Sequence, residues 1–127
     1  MLNICLVGLG GFIGAVLRYS LGGWVQGWSK SIGFPYGTFV VNLCGCLLIG
    51  WFSQLADSRN LFNPQQRLFV FIGLLGAFTT FSTFGLETMN LLRDNRVMLA
   101  VLNVSGQVGL GLAMVWAGRI FAKLIWR

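Results

Sequence analysis

The chain reads as an all-α membrane protein of four transmembrane helices, with a break in the third. Three observations predict this. Apolar residues make up 56% of the 127 positions and charged residues only 9%, against about 25% charged in a soluble domain. A surface so poor in charge would aggregate in water unless lipid covered it. The apolar residues fall into four runs, each long enough, at about 1.5 Å per helical residue, to cross a hydrocarbon layer of about 30 Å. The third run carries a hydroxyl cluster near its middle, a poor choice for an uninterrupted helix facing lipid.

The spans follow in order within a single four-helix domain, residues 1–127. The first covers about residues 2–28. It lacks a basic leading region and a small-residue cleavage site, which favours a retained helix over a signal peptide. Gly10 and Gly14, four apart, give it a flat face for close helix packing. Its run Gly8 to Gly14 superficially resembles a dinucleotide loop, but the strand, the following helix and the acidic residue about 20 positions on are all missing. The second span covers about 36–55, after Pro35, and the third about 67–92, after Pro64. The fourth covers about 97–125, with Ser105, Gly109, Ala113 and Ala117 as a small-residue stripe suited to packing. Turn chemistry fills the gaps: Lys30-Ser31-Ile32-Gly33, Asp57-Ser58-Arg59-Asn60 and Arg93-Asp94-Asn95-Arg96. The last is so short that spans three and four must be adjacent and antiparallel. Trp24, Trp28 and Tyr36 mark one membrane interface, and Trp51 and Trp126 the other.

Several function classes drop out. The net charge is +6, but the nine cations are scattered and mostly flank apolar runs. That pattern fits headgroup anchoring and no nucleic-acid partner. Cys5, Cys44 and Cys46 lie inside apolar runs without paired metal spacing and read as small core residues. There is no His, so His triads and His metal sites are excluded. No nucleophile–base pair is visible, and the chain is not expected to be an enzyme.

An even number of spans puts both termini on one side of the membrane. That side carries Arg59, Arg67, Arg119, Lys123 and Arg127; the other carries Lys30, Arg93, Arg96 and, if it snorkels there, Arg18. So weak a bias lets the chain insert both ways. The expected assembly is an antiparallel, dual-topology homodimer, which imitates the inverted repeats of transporters.

Polar residues at membrane depth point to the site. Asn42 in span two is either an interhelical hydrogen-bonding group or a pore-lining donor. Thr79, Thr80, Ser82 and Thr83 put four hydroxyls within five positions of span three. With Gly76 nearby, a helix break is expected there. Freed carbonyls with threonine oxygens suit a hard cation such as Na⁺, freed N–H groups and hydroxyls suit an anion, and the alternative is that the hydroxyls bond back to the preceding turn. Phe81 and Phe84, three apart, share a helix face. Their positively polarised ring edges could hold a partly dehydrated anion without a trapping charge. Asn103 and Gln107, four apart in span four, form a polar stripe that Gly111 continues. Arg18 and Glu87 lie toward span ends, as headgroup anchors or as vestibule residues.

Three segments together resemble the Fluc (CrcB) family of fluoride channels. They are residues 10–19 (GGFIGAVLRY), 36–45 (YGTFVVNLCG) and 76–84 (GAFTTFSTF). Length and span count agree, so the resemblance covers nearly the whole chain. It implies a fluoride-selective channel that passively exports toxic fluoride from the cytoplasm across the bacterial cell membrane. It implies an antiparallel homodimer with two pores and a central structural Na⁺ held by the backbone carbonyls of Gly76 and Thr79. Phe81 and Phe84 would be the pore phenylalanines and Asn42 the polar donor, with Ser82 and Thr83 near the ion path. Arg18 matches the arginine of the first motif; with Thr38 and Glu87 it would serve the vestibule or its structure. Two positions depart from the pattern. The family often has two glycines where this chain has Gly76-Ala77, and Asn103 and Gln107 take the places of Tyr and Ser or Thr on the fourth span. The rival reading is a small four-helix, dual-topology multidrug or cation exporter. That class needs a carboxylate within its first span, and this span has none.

Overall fold

A computed structural model describes residues 1–31, 33–59 and 61–126, Arg59 by its backbone alone. The turn residues Ile32 and Asn60 and the interfacial cations Arg59 (side chain) and Arg127 therefore lie outside the described residues. Helix α1 runs Leu2–Ser29 and α2 runs Tyr36–Arg59. The third span is composite. Its first half, α3, starts as Pro64–Arg67, widens to π winding over Leu68–Leu75 and closes with Gly76–Phe78. Its second half, α4, runs Phe81–Arg93, and α5 runs Val97–Ile125. Among the described residues, four stretches are long and apolar enough to cross a membrane. The chain is a multi-pass membrane protein.

Local chemistry sets the helix ends. Asn63 caps α3 by accepting from the Gln66 N–H at 2.8 Å, while the Gln66 side chain accepts from the Asn63 N–H at 3.0 Å. Pro64 occupies the first helical position, where its missing N–H costs nothing. α1 stops at Lys30, which takes the left-handed conformation at φ 49°. Gln26 then ties the α1–α2 connection, donating to the Ser31 carbonyl at 2.7 Å and accepting from the Gly37 N–H at 3.1 Å. α4 ends in a Schellman turn. Asn95 is left-handed at φ 58°, the Arg96 N–H reaches the Leu91 carbonyl at 2.8 Å and the Asn95 N–H reaches the Leu92 carbonyl at 3.0 Å. This turn folds α5 back on α4, as the short connection requires.

Close backbone approach holds the helices together. A methyl at Gly10 would stand 2.5 Å from the Phe69 carbonyl oxygen, and one at Gly14 would overlap the Leu74 carbonyl. α1 and α3 therefore pack glycine to backbone and run parallel, since positions 10 and 14 meet 69–74 and 74–78 in that order. α2 and α5 pair in the same way. Gly50 lies on the Val115 carbonyl and Gly118 on the Leu47 carbonyl. Lipid offers no hydrophobic drive for helix association, so such contact surfaces carry the packing.

The stripe Ser105, Gly109, Ala113 and Ala117 does not pack inside the chain as the sequence pattern suggested. Ser105, Gly109 and Ala113 are exposed, and nothing approaches Gly109 within 4 Å. The face that packs on α2 carries Gly106, Gly111 and Gly118, and Asn103 and Ala122 are buried as well. Small-residue spacing locates a flat face, but it cannot say which of two flat faces meets a neighbour. Trp51 is half-buried, and its indole N–H is buried without a partner among the described residues. Trp24, Trp28 and Trp126 are exposed near helix ends.

Candidate functional site

The third span breaks at Thr79 and Thr80. Both are extended, at φ −87°, ψ 159° and φ −148°, ψ 114°. Gly76 itself is helical, so the interruption falls one turn later than the glycine suggested. Helix α2 explains the position. The Thr80 N–H donates to Asn42 Oδ1 at 2.9 Å, and Asn42 Nδ2 donates to the Thr80 carbonyl at 3.1 Å. One amide side chain thus pairs both backbone groups of an extended residue, which a membrane interior would otherwise leave unsatisfied at a cost of several kcal/mol. One turn further, α2 makes room with Gly45, where any Cβ would fall on the Thr79 methyl. Thr80 then restarts the helix as an N-cap, its Oγ1 accepting from the Thr83 N–H at 3.2 Å and donating to Thr83 Oγ1 at 2.9 Å.

From Asn42 a hydrogen-bond chain runs across to α5 and back. Asn42 Nδ2 also donates to Gln107 Oε1 at 2.6 Å, Gln107 Nε2 to Asn103 Oδ1 at 3.0 Å, and Asn103 Nδ2 to Thr88 Oγ1 at 2.9 Å. Thr88 Oγ1 donates to the Phe84 carbonyl at 2.8 Å. Asn103 is fully buried, at 0% exposure. It belongs to the interior of this chain and does not line the cavity beside it.

That cavity, about 330 Å³, lies between α2, the two halves of the third span and α5. It gathers Asn42, Gln107, Gly76, Thr79, Phe81 and Phe84 from the candidate residues, with Thr80 added. The two rings stand 5.5 Å apart at 51°. Phe84 is half-buried, while Phe81 is 84% exposed. None of the lining residues is charged.

Two further cavities continue the polar surface. One of about 310 Å³ is lined by Arg18, Thr38, Thr80 and Thr83. The next, about 410 Å³, is lined by Gln26, Thr38, Glu87, Asn90, Asp94 and Arg96. Thr80 is common to the first two and Thr38 to the last two. Thr38 Oγ1 donates to Glu87 Oε1 at 2.7 Å. Ser82 is exposed, lines none of the three, and comes only within 3.4 Å of Thr80 Oγ1. The back-bonding alternative holds for Thr79, which donates to the Leu75 carbonyl at 3.1 Å, but not for Thr80 or Thr83.

The break also changes two carbonyls. In a continuous helix the Gly76 oxygen would accept from the Thr80 N–H. That N–H is diverted to Asn42. The Thr79 carbonyl belongs to an extended residue outside the helical ladder. Neutral, unpaired oxygens of this kind fit a hard monovalent cation. No cluster of three or more His, Cys, Asp or Glu occurs among the described residues, so a cation held here would rest on backbone oxygens.

Sequence reasoning counted Thr80 in the hydroxyl cluster without giving it a role at the site, and it did not single out Thr88. Thr80 has a signal of a kind, a hydroxyl residue directly before a helical run, where N-caps are found. Thr88 has none, because a single hydroxyl four residues after Phe84 reads as an ordinary back-bonding threonine.

Comparison with known proteins identifies the family. The sequence model of the family described as CrcB-like protein, Camphor Resistance (CrcB), matches residues 5–119. A "Fluoride-specific ion channel FluC 1" of Methanosarcina acetivorans is 45% identical over 96% of this chain and 92% of its own length. Proteins called "Fluoride-specific ion channel FluC" from Oceanobacillus iheyensis and Chlorobaculum tepidum are 45% and 46% identical, over 93% and 98% of this chain and 89% and 97% of theirs. With a match of this extent, joined to a third span broken at its hydroxyl cluster, the chain belongs to the CrcB family.

Proposed function

We propose that the chain is a fluoride-selective channel that lets the ion leave the cytoplasm down its own gradient. The observation that carries this is the uncharged cavity in which Asn42, Gln107 and the Phe81/Phe84 pair converge on the broken helix. Fluoride gives up water only where other donors replace it. Hydroxyls, amide N–H groups and ring edges can do so without a fixed cation, and conduction needs binding weak enough to release. The relatives named as fluoride-specific channels support the same ion. Purified protein in liposomes is expected to pass fluoride and exclude chloride. Equal chloride flux sinks the selectivity.

The working form on this reading is an antiparallel homodimer with two pores. The exposure of Phe81 at 84% and of Gly76, both beside the cavity, leaves a surface that a second, inverted copy would complete. The weak charge bias across the spans is what allows the inverted copy. In the dimer a central structural Na⁺ would rest on the Gly76 and Thr79 carbonyls of both subunits. In the liposome assay, replacing Na⁺ by a large organic cation is expected to lower fluoride flux. A C-terminal tag is expected to be labelled from both sides of the membrane; one-sided labelling rules out dual insertion.

A further inference from the structure

The hydrogen-bond chain between α2, α4 and α5 has a direction that cannot reverse. At one end Asn42 faces a backbone N–H and a backbone carbonyl of the same residue, Thr80. The N–H can only donate and the carbonyl can only accept, so the Asn42 amide has one orientation. At the other end the Thr88 hydroxyl donates to the Phe84 carbonyl at 2.8 Å, so toward Asn103 it can only accept. Between these fixed ends each amide must accept from the Asn42 side and donate toward Thr88. This follows from the donor and acceptor inventory alone. It does not depend on how the side-chain oxygens and nitrogens were assigned.

The direction decides which donor remains for an ion. Three amides carry six N–H hydrogens. Asn42 uses both of its own, on the Thr80 carbonyl and on Gln107 Oε1. Gln107 and Asn103 each use one. Asn103 is 0% exposed, which seals in its second hydrogen. Gln107 lines the cavity that also holds Phe81 and Phe84. Among these amides its second N–H is the one unspent donor on a residue that lines that space.

We infer that Thr88 and Asn103 are positioning residues. By fixing the far end of the chain, they hold the Gln107 amide with its free N–H toward the ion, and neither touches the ion itself. This deepens the fluoride-channel reading and rests on it. It also separates two roles that one polar stripe on α5 would have merged, since Gln107 faces the cavity while Asn103 braces it from behind.

The test measures fluoride flux into liposomes against fluoride concentration. Thr88→Val, close to isosteric but without the hydroxyl, is expected to raise the half-saturating concentration about tenfold, roughly the worth of one hydrogen bond. Thr88→Ser keeps the hydroxyl and is expected to restore the lower value. Asn103→Leu is expected to match Thr88→Val, and the double variant to be no worse than either single one, because both cut the same chain. Thermal unfolding in detergent is followed in parallel. A lower melting point with an unshifted half-saturation makes the pair merely structural and overturns the inference. A shift in Asn103→Leu without one in Thr88→Val also overturns it, by placing Asn103 in contact with the ion. Wild-type protein that passes no fluoride overturns the channel reading itself; wild-type flux with an unshifted Thr88→Val overturns only the positioning role.

Discussion

Phe81→Ile and Phe84→Ile are each expected to lower fluoride flux about a hundredfold, while the protein still folds and elutes as the wild type does. Isoleucine roughly keeps the apolar bulk and loses the ring. What disappears is the polarised edge that faces a desolvated anion. A hundredfold change corresponds to about 2.7 kcal/mol of barrier. The quadrupole that draws a desolvated cation to a ring face by about 2 kcal/mol or more is the one that leaves the ring edge positive, so the scale is attainable. The two rings are 5.5 Å apart and share one cavity, so their effects should not add. Flux within a few fold of wild type in both variants would remove the aromatic component, leaving the amide and hydroxyl donors as the whole path.

Gly14→Leu is expected to damage the fold severely. A side chain there meets the Leu74 carbonyl and stands 3.0 Å from the Phe78 N, which are backbone atoms that cannot swing aside. Overpacking of a close contact costs about 1–3 kcal/mol, occasionally more, and here relief would require separating α1 from the helix half that leads into the break. A melting point lowered by many degrees, or no monodisperse protein in detergent, is the expected result. Gly23→Leu is the matched control, since nothing lies within 4 Å of that position. If the two variants melt alike, the glycine contact does not hold α1 to α3.

The spans were legible because hydropathy is a direct record of the solvent. The fourth was placed at 97–125 and runs Val97–Ile125. The second was read as ending near 55, but α2 continues to Arg59, because its last turn is polar and leaves no hydropathy signal. The break was legible as a region and not as a position. Hydroxyls at 79–83 announced it, but Asn42 and Gly45, some 35 residues away in sequence, decide that Thr79 and Thr80 are the extended pair. The π winding over Leu68–Leu75 had no signal in LFVFIGLL, whose residues are apolar at every phase apart from one glycine. The small residues of α5 pointed to the stripe Ser105, Gly109 and Ala113, which repeats every four residues, whereas the buried set Asn103, Gly111, Gly118 and Ala122 is spaced unevenly and gives a weaker pattern. Asn103 and Gln107 were read as one stripe from their spacing. The structure keeps them hydrogen-bonded to each other, but only Gln107 lines the cavity, while Asn103 is fully buried and bonded to Thr88.

The interruption at Thr79 and Thr80 leaves two helix halves meeting end to end. The first closes at Phe78 and the second opens at Phe81. A helix terminus carries about half an elementary charge, negative where carbonyls end the helix and positive where N–H groups begin it. The gap is therefore a junction of opposite partial charges: the oxygen end at Gly76–Phe78 favours a cation, and a few residues on the amide end at Phe81 favours an anion. One short stretch of uncharged chain can thus attract ions of both signs to neighbouring points without placing a titrating group between them, and pH has little hold on either.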